Sequence, residues 1–394
     1  MIRIYHYKLA LLGAVVFGFP GLNKNIKIIG VTGTSGKSTT VDFVTRIFDE
    51  ANEKVASVSS IRFKVANKEW ENKYKMTMPG RFVIQKLLSQ AKKAGCKYVV
   101  LEVTSEGIRQ FRHKFINFDC VVFTNLTPEH IESHGGFENY KKEKLKLFKE
   151  NKNIHIINID DKNSKEFLDI PAKQKIEFSI KDAENIKFDS NLISGFNIYN
   201  ALSAISVARV YGISLDVCKK ALEKIKVIPG RMEVVLEFPI KVIVDYAHTP
   251  DQLEAVYKTF SAKGGSAFGG SLVCVLGSCG GGRDKWKRPV LGEIAKKYCK
   301  EIIITNEDPY DEDPLSIMKE IESALLYDGA NSKHHMILDR KEAIEKAIKL
   351  AKPGDVVIIT GKGSEPWMCL ENGRKIPWND KQIAQDAVKK FFTP

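Results

Sequence analysis

The sequence lacks several features that would place it quickly in a functional class. Its seven cysteines form no C-x-x-C pair and no even framework, which indicates a reducing compartment and no structural zinc. It has no arginine-rich tail and no basic–aromatic repeat. The net charge of +13 therefore favours an anionic substrate or nucleotide over a nucleic acid. No internal repeat or low-complexity tail interrupts the 394 residues, which are enough for two or three domains.

A membrane-spanning run is also missing. The apolar run near the start covers only residues 9–19, which is too short to cross a bilayer. No small-x-small cleavage site of a signal peptide precedes the next motif. We therefore expect a helix packed on the first domain of a cytoplasmic protein without a transmembrane segment. A weak contact with a membrane surface is the alternative for this helix.

The clearest motif is residues 28–40, which read I-I-G-V-T-G-T-S-G-K-S-T-T. An apolar run before it and an amphipathic run after it predict strand, loop and helix, with a phosphate site at the helix N-terminus. Lys37 would reach the terminal phosphates, and the Ser38 hydroxyl would bind Mg²⁺. Five residues lie between Gly30 and Gly-Lys-Ser, and two lie between Gly33 and Gly-Lys-Ser. The usual phosphate loop has four residues in this interval, so this loop is a variant. A plain glycine turn is the alternative reading.

Strand-like and helix-like runs alternate along the chain, which predicts mostly parallel sheets covered on both faces. The alternation breaks at Pro229-Gly230-Arg231 and then restarts without a second phosphate loop. We predict an α/β protein with a central P-loop ATPase domain, residues 1–231, and a C-terminal Rossmann-like domain, residues 232–394. The predicted strands cover 26–31, 98–103, 120–124, 154–158, 242–244, 272–276, 301–304 and 356–359. The predicted helices cover 37–51, 82–94, 138–150, 195–211, 215–225, 251–260, 289–300, 314–325, 341–351 and 380–391.

Two segments place polar residues directly after predicted strands. Glu102 ends a strand near the phosphate loop, where a carboxylate suits Mg²⁺, although a solvated strand end is the alternative. Residues 123–135 put His130 and His134 on one loop with two carboxylates. Two histidines in this position favour a functional site over a structural role. Their spacing is like that of a zinc pair, but no third ligand is apparent.

These segments, together with others along the chain, resemble those of the Mur ligase family of ATP-dependent amide-forming enzymes. Within that family the resemblance is to the UDP-N-acetylmuramoyl-dipeptide ligases, or tripeptide synthetases. The matching segments run in family order from about residue 26 to the C-terminus. In the first domain they are T-G-T-S-G-K-S-T-T at 32–40, L-E-V-T-S-E-G-I at 101–108, F-T-N-L-T-P-E-H-I-E-S-H-G at 123–135, F-E-N-Y-K-K-E-K at 137–144 and G-F-N-I-Y-N-A-L-S-A at 195–204. Later ones are P-G-R-M-E at 229–233, V-D-Y-A-H-T-P-D at 244–251, C-G-G-G-R-D-K-W-K-R-P at 279–289, D-P-Y-D-E-D-P at 308–314 and G-K-G-S-E at 361–365.

The resemblance implies a role for each matching position. ATP would be bound by Gly33, Thr34, Ser35, Gly36, Lys37, Ser38, Thr39, Asn200, Arg231 and Asp245. Lys37, Glu102, His130 and Lys144 would be catalytic, and Ser38, Glu102, His130 and Lys144 would hold Mg²⁺, two ions in all. Lys144 occupies the place of a lysine that CO₂ carbamylates in the family, which turns a cation into a carboxylate. Without the resemblance, Lys144 would read as one exposed lysine among many.

The substrates follow from the same resemblance. The muramyl part of the acceptor would contact Thr77, Thr104, Ser105, Gln110 and Arg112, and the incoming amino acid would contact Arg283, Asp308, Gly361 and Glu365. The acceptor carboxylate would attack ATP to form an acyl phosphate, which the amine of the amino acid then converts to an amide. The implied partners are thus a muramyl peptide and a free amino acid, used by a monomer in peptidoglycan precursor synthesis.

Some positions depart from the family pattern. Relatives usually carry a further N-terminal domain that binds the uridine diphosphate, whereas about 25 residues precede the phosphate loop here. We therefore expect the uridine group to contribute little to acceptor binding. Glu129 stands for the commoner Asp, Ser364 stands for a common His, and Glu-Asp-Pro-Tyr at 307–310 stands for Asp-Asn-Pro-Arg. Tyr310 lacks the guanidinium that would hold the far carboxylate of diaminopimelate. We therefore predict an amino acid without a distal carboxylate, with a lysine-like residue as the leading candidate and a smaller one as the alternative.

Two other functions compete with this interpretation. A relative with a similar ATPase core, such as a folylpolyglutamate or cyanophycin synthetase, is disfavoured by the segments at 123–144 and 244–251. A non-catalytic partner protein that has kept the fold is disfavoured by the presence of four residues, Lys37, Glu102, His130 and Lys144.

Overall fold

The computed structural model describes residues 2–74, 76–186, 195–261, 270–326 and 333–392. The chain divides into two compact units. The first comprises Met1–Pro128 and His134–Lys226, and the second comprises Glu129–Ser133 and Val227–Pro394. Each unit contains a mostly parallel sheet with helices packed on it, so the predicted α/β class is confirmed.

The sheet of the first unit is parallel except at one edge. Its strands are β1 (Lys27–Thr32), β2 (Val55–Val58), β3 (Arg62–Val65), β4 (Lys68–Glu71), β5 (Tyr98–Glu102), β6 (Phe118–Phe123), β7 (Ile154–Asn158) and β8 (Gln174–Phe178). They lie in the order β4-β3-β2-β5-β1-β6-β7-β8, and β3 and β4 pair antiparallel at the edge. The central strands are almost entirely buried because helices cover both faces, which explains their continuous apolar sequences.

The helices of this part of the chain are α1 (Ile2–Val16), α2 (Lys37–Glu50), α3 (Arg81–Lys93), α4 (Ser105–Arg109), α5 (Ile131–His134), α6 (Phe137–Glu150), α7 (Ser164–Leu168), α8 (Asn197–Val210) and α9 (Leu215–Glu223). Helix α2 is buried on almost every side, between the sheet, α8 and α9. Helix α8 can lie this close because small residues, Ala201, Ala204 and Ala208, occur along its buried side. The helix that follows the phosphate loop is therefore part of the core.

The second unit has its own six-stranded sheet. Its strands are β9 (Glu233–Leu236), β10 (Lys241–Val244), β11 (Leu272–Leu276), β12 (Glu301–Thr305), β13 (Lys333–Ile337) and β14 (Val356–Ile359), and a separate hairpin joins β15 (Trp367–Cys369) to β16 (Lys375–Pro377). The sheet order is β13-β12-β11-β14-β10-β9, and only β9 is antiparallel to its neighbour. Its helices are α10 (Pro250–Phe260), α11 (Lys287–Tyr298), α12 (Pro314–Glu322), α13 (Arg340–Leu350) and α14 (Asp380–Phe392). Side-chain caps from Thr249, Asp313 and Asp339 fix where three of these helices begin.

Every predicted strand and helix is present, with bounds that differ by three residues or fewer. Eight strands were not predicted: β2, β3, β4, β8, β9, β13, β15 and β16. Strands β3, β4, β8, β9 and β13 lie at or next to a sheet edge and carry charged residues, so they lack the apolar run that marks a central strand. Strands β2, β15 and β16 were missed because they are only three or four residues long, and β2 is buried although it carries no long apolar run. The helix expected at the N-terminus is α1, and it packs on α3. Among the described residues no helix is both long and apolar enough to cross a membrane.

Two of the seven cysteines are paired, although their spacing in the sequence indicated no cysteine framework. Cys274 on β11 and Cys299 at the C-terminal end of α11 are joined by a disulfide, with their Cα atoms 6.1 Å apart. The sequence separation of 25 residues gives no sign of this pairing. The fold creates it, because Cys299 immediately precedes β12, which lies beside β11.

Candidate active site

The phosphate loop joins β1 to α2 at the carboxyl edge of the first sheet. A Cβ atom on Gly36 would lie 2.1 Å from the Asn200 amide oxygen, and one on Gly33 would lie 1.9 Å from the Thr124 hydroxyl. Both glycines also have positive φ angles, 79° and 156°, so no larger residue fits without strain. Gly36 supplies no side-chain cap to α2, which leaves the first N–H groups of the helix to bind an anion.

Side chains from neighbouring elements hold the loop in place. The Asn125 amide oxygen accepts a hydrogen bond from the Ser35 backbone N–H at 2.8 Å, and the Thr124 hydroxyl donates to the Ser35 carbonyl at 2.8 Å. The Thr34 hydroxyl lies 3.0 Å from the hydroxyl of Tyr140 on α6. These supports were not singled out from the sequence. Their only signal was the position of Thr124 and Asn125 directly after a strand.

A cluster of oxygen atoms lies at the start of α2. The Ser38 hydroxyl donates to the Glu102 carboxylate at 2.8 Å and lies 2.7 Å from the Ser60 hydroxyl. The Ser60 backbone N–H also donates to this carboxylate, at 2.9 Å. Carboxylate and hydroxyl oxygens are ligands that Mg²⁺ prefers, so this donor set fits the metal expected from the sequence. Ser60 was missed because nothing in its local sequence suggests a ligand.

Lys37 is the first residue of α2, and its side chain returns to the loop. Its ammonium nitrogen donates to the Thr34 carbonyl at 2.7 Å. This position keeps a positive charge beside the backbone N–H groups that would bind phosphate. The arrangement is that of a phosphate loop in which Lys37 can serve the terminal phosphates.

Lys144 lies on α6 and is buried against the same loop. Only 1% of the residue is exposed, and its side-chain nitrogen donates to the Gly33 carbonyl at 2.7 Å. The nitrogen also lies 4.7 Å from the centre of the Tyr140 ring. Burial, followed by repulsion from Lys37, holds the pKa of Lys144 well below its ordinary value, although Glu102 opposes this. The plain reading of Lys144 as an exposed helix lysine was therefore wrong.

Asn200 on α8 lies next to the beginning of α2. Its amide oxygen accepts a hydrogen bond from the Thr40 hydroxyl at 3.4 Å, and its amide nitrogen donates to Asn197 at 2.9 Å. The close approach of α2 and α8 thus places Asn200 against the phosphate loop. Its expected role opposite adenine remains a prediction.

The residues expected to hold the acceptor lie at one end of β5 and on the segment before α3. Thr104 caps α4 by accepting from the Gly107 N–H at 3.0 Å, and Ser105 is buried beside it. The Arg112 guanidinium donates to the Met78 carbonyl, next to Thr77, and to the Gln110 side chain at 2.7 Å. These contacts connect the loop after α4 with the segment that carries Thr77.

Arg81 was missed as a member of this group. Its guanidinium donates to the Gln110 carbonyl at 2.6 and 3.0 Å. Burial, and then the charge of Arg81, lower the pKa of Arg112. Two guanidinium groups so close together suit an anionic substrate group.

In the second unit, Asp245 follows β10 and binds the turn that carries Arg231. Its carboxylate accepts from the Met232 N–H and from the Ala247 N–H, both at 2.7 Å. Burial raises the pKa of Asp245, and the positive charge of Arg231 opposes that rise. The Arg231 guanidinium stacks over the Tyr246 ring, 4.2 Å from its centre. The pair is thus held rigidly within this unit.

A buried lysine links the residues expected around the incoming amino acid. The Lys362 ammonium lies 2.8 Å from the Asp308 carboxylate and 2.7 Å from that of Glu365. Gly361 has a φ angle of 106°, and a Cβ there would lie 1.9 Å from a carboxylate oxygen of Glu307. Lys362 was overlooked in the sequence because a lysine between two glycines resembles a surface turn. The Arg283 N–H donates to the Gly280 carbonyl at 3.4 Å, at the end of a glycine run.

His130 lies on a segment that belongs by its contacts to the second unit. In Glu129–Ser133, the N–H groups of Ile131 and Glu132 donate to the Asp284 carboxylate at 3.1 and 2.9 Å. Glu129 pairs with Lys287 at 3.2 Å, with both side chains buried. Over the described residues no group of three or more His, Cys, Asp or Glu side chains has metal-binding geometry. Metal binding by His130 therefore remains a prediction.

Comparison with known proteins gives a consistent result. The family described as the Mur ligase middle domain matches residues 31–208, and the family described as Mur ligase, glutamate ligase domain, matches residues 230–363. A UDP-N-acetylmuramoyl-L-alanyl-D-glutamate–2,6-diaminopimelate ligase of Halalkalibacterium halodurans is 36% identical, over 94% of this chain and 79% of the relative. A UDP-N-acetylmuramyl-tripeptide synthetase of Roseiflexus is 31% identical, over 97% of this chain and 82% of the relative.

Solved structures show the same fold. A UDP-N-acetylmuramoyl-L-alanyl-D-glutamate–2,6-diaminopimelate ligase structure has a TM-score of 0.59 and 27% identity, and the match covers 93% of this chain and 79% of that one. A bifunctional folylpolyglutamate synthase/dihydrofolate synthase of Yersinia pestis has a TM-score of 0.70 over 90% of both chains. At 19% identity, the second likeness concerns the fold alone.

Proposed function

Because the chain belongs to the Mur ligase family, we propose that it joins an amino acid to the carboxylate of a muramyl dipeptide, driven by ATP, in peptidoglycan precursor synthesis. The diaminopimelate ligases named above carry the dipeptide L-alanyl-D-glutamate in their names. The observation that carries the proposal is the grouping of Lys37, Ser38 and Glu102 at one phosphate loop. A reaction that consumes ATP and this precursor would take place in the cytoplasm.

The proposed reaction has two steps. The acceptor carboxylate attacks the γ-phosphorus of ATP, which forms an acyl phosphate and releases ADP. The amine of the amino acid then attacks the acyl carbon, phosphate leaves, and a proton is lost from the nitrogen. The backbone N–H groups of the loop and the Lys37 ammonium would bind the phosphate charge during the first step. The charge on the transferred phosphoryl group is the reason why this loop is needed.

The oxygen cluster would hold Mg²⁺. When bound, the ion neutralises phosphate charge and orients the phosphoryl group. Ser38, Ser60 and Glu102 are the residues that could bind it, and their hydrogen bonds keep the three oxygens together. The Ser60 N–H fixes the Glu102 carboxylate in this position, as a second contact to a ligand commonly does.

We further propose that CO₂ carbamylates Lys144. The neutral amine adds to the carbon of CO₂ and loses a proton, which leaves a carbamate anion. The support is the burial of Lys144 and the low pKa that favours its neutral form. Carbamylation would turn the neutral amine into an anion, which the positive charge of Lys37 attracts. The new carboxylate-like group would also offer oxygen ligands where a lysine offers none.

The acceptor and the amino acid would be bound by different groups of residues. Arg81 and Arg112 supply positive charge near Thr77 and Thr104 for the acceptor. In the second unit, Asp308 and Glu365 supply carboxylates suited to the ammonium group of an amino acid, and Lys362 fixes both of them. Arg231, Arg283 and Asp245 keep the roles in nucleotide and amino-acid binding that the family resemblance implies.

The test is ADP release by the full chain with UDP-N-acetylmuramoyl-L-alanyl-D-glutamate and a panel of amino acids. We expect continuous ADP release, beyond one equivalent per enzyme, only when acceptor and amino acid are both present, and the product mass to correspond to one added residue. ADP release with a pteroate and glutamate, but not with the muramyl dipeptide, would point instead to a folylpolyglutamate-type ligase. Lack of nucleotide binding would leave a non-catalytic role.

A further inference from the structure

Helix α1 packs inward mainly through small residues and Tyr7, whose ring lies against Phe111 and Phe115, and it presents most of its large apolar residues to solvent. Ala10 and Ala14 are buried, and a Cβ on Gly13 would lie 3.6 Å from the backbone of Arg81 at the start of α3. On the opposite side, six large side chains are between 38% and 62% exposed: Ile4, Tyr5, Leu11, Leu12, Val15 and Val16. A helix that only packs on the first unit would bury its large apolar residues against that unit. The outer face therefore needs another partner.

These six residues form one continuous surface, here called the α1 face. At 100° per residue their positions fall within one side of the helix, and Lys8 lies in the middle of that side. Scattered exposed leucines are common on proteins, but a contiguous apolar patch of this kind marks a binding surface.

The charge around the α1 face identifies the kind of partner. No aspartate or glutamate precedes Asp42 in the sequence, whereas Arg3, Lys8 and Lys24 occur in or near α1. An apolar face with Lys8 at its centre, on a helix without acidic residues of its own, suits anionic lipid headgroups above acyl chains. Docking of a second copy on the same face would bury Lys8 of both chains in an apolar contact to which α1 brings no carboxylate.

We propose that the α1 face docks on the surface of an anionic membrane. Helix α1 would lie in the membrane plane, with Leu11, Leu12 and Val15 at the boundary between headgroups and acyl chains. The Lys8 side chain is long enough to reach the lipid phosphates from among them. At 15 residues, α1 is about 22 Å long and cannot span the bilayer. The surface thus holds the enzyme at the membrane by a reversible contact.

Flotation of the full chain with lipid vesicles tests the proposal. We expect binding to vesicles of phosphatidylcholine mixed with phosphatidylglycerol, weaker binding to phosphatidylcholine alone, and loss of the difference at high salt. Leu12→Glu should weaken binding to the mixed vesicles at least about tenfold, and Lys8→Glu about fivefold. The control is Leu338→Glu in the second unit, at a leucine of similar exposure, 45% against 50%, which should bind like the parent.

Thermal unfolding and ADP release without vesicles show that the variants are folded, and both should match the parent. Binding that Leu12→Glu and Lys8→Glu leave unchanged would overturn the proposal, and so would equal loss in Leu338→Glu. A parent that ignores vesicles but self-associates, with Leu12→Glu monomeric, would assign the α1 face to a second copy instead. Each result is independent of which amino acid the enzyme adds.

Discussion

The side-chain nitrogen of Lys144 lies 2.7 Å from the carbonyl oxygen of Gly33, so a buried lysine of α6 contacts the backbone of the phosphate loop. An ammonium ion is destabilised at this position, because few polar groups around it replace the hydrogen bonds that water would make to it. The low pKa of Lys144 expresses that cost, with burial as its main cause and Lys37 as the second. The neutral amine that results is the form able to react with CO₂.

Replacement of Lys144 should therefore nearly abolish ligation. We expect Lys144→Ala to show little ADP release and to recover part of it when acetate or a similar small carboxylate is added. The matched control is Lys142→Ala, which removes an exposed lysine from the same helix and should leave the rate unchanged. Activity of Lys144→Ala equal to that of the parent would refute a role for carbamylation.

Carbamylation also predicts a dependence on CO₂ and pH. The protonated amine cannot add CO₂, so activity should fall as the pH drops through the lowered pKa of Lys144. Above that pKa, bicarbonate should restore the activity that is lost in degassed buffer, whereas below it bicarbonate should have no effect. The measurement is the rate of ADP release across pH in degassed buffer, with and without bicarbonate. Rates that bicarbonate does not change at any pH would count against the modification.

Removal of the phosphate-loop charge should slow the reaction strongly. Lys37→Ala takes away the cation that would offset charge on the terminal phosphates, and we expect a loss of at least about a hundredfold in rate. Lys68→Ala, at an exposed lysine of β4, serves as the control. Near-normal turnover by Lys37→Ala would show that the nucleotide binds elsewhere.

Ser60 should influence the requirement for magnesium. Ser60→Ala removes one oxygen next to Ser38 but keeps the backbone N–H that holds Glu102. We expect the Mg²⁺ concentration for half-maximal rate to rise about tenfold, with the maximal rate largely kept. Ser89→Ala on α3 is the control. An unchanged Mg²⁺ requirement would mean that Ser60 supports the fold and not the metal.

The amino acid chosen should lack a distal carboxylate. The Tyr310 ring lies against Gly281, in the glycine run before Arg283, and its phenol offers no positive charge. Loss of a charge-assisted pair costs about 1.5–3 kcal/mol, so L-lysine should be preferred over meso-diaminopimelate by roughly tenfold or more. Competition between the two, read as product mass, decides this. Tyr310→Arg should shift the choice towards diaminopimelate, and Tyr310→Phe should not.

Several relatives of this chain are named diaminopimelate ligases, so the Tyr310 prediction can clearly fail. Preference of the parent for diaminopimelate would show that another cation replaces the missing guanidinium. The Tyr310→Phe control separates the loss of the phenol from the gain of a charge. A shift in both variants would mean that the ring only shapes the pocket.

The sequence was sufficient for the parts of the molecule that depend on local patterns. The phosphate loop, the central strands and the ends of β5 and β6 follow from apolar runs and glycine spacing, and they appear where expected. Contacts made at a distance along the chain could not be foreseen in this way. Ser60, Arg81 and Lys362 were missed because each owes its position to residues far away in the sequence or to burial.

The burial of Lys144 likewise could not be predicted from its local sequence. Four other lysines accompany it between positions 141 and 149, which indicates a solvated helix surface. The structure buries it because α6 packs with Tyr140, Lys144 and Leu147 towards the unit interior. Only the likeness to a known family directed attention to this residue, since local periodicity does not distinguish a buried lysine from an exposed one.

The burial of α2 between the sheet, α8 and α9 has a consequence for how the nucleotide is received. A helix buried on almost every side opens only when the surrounding unit opens, so its amide hydrogens should be among the slowest to exchange with solvent. Little conformational freedom is then left to lose when a nucleotide arrives at its first turn. The entropic penalty of ordering would then fall mainly on the substrates, because the phosphate loop and the first turn of α2 are already ordered before a nucleotide binds.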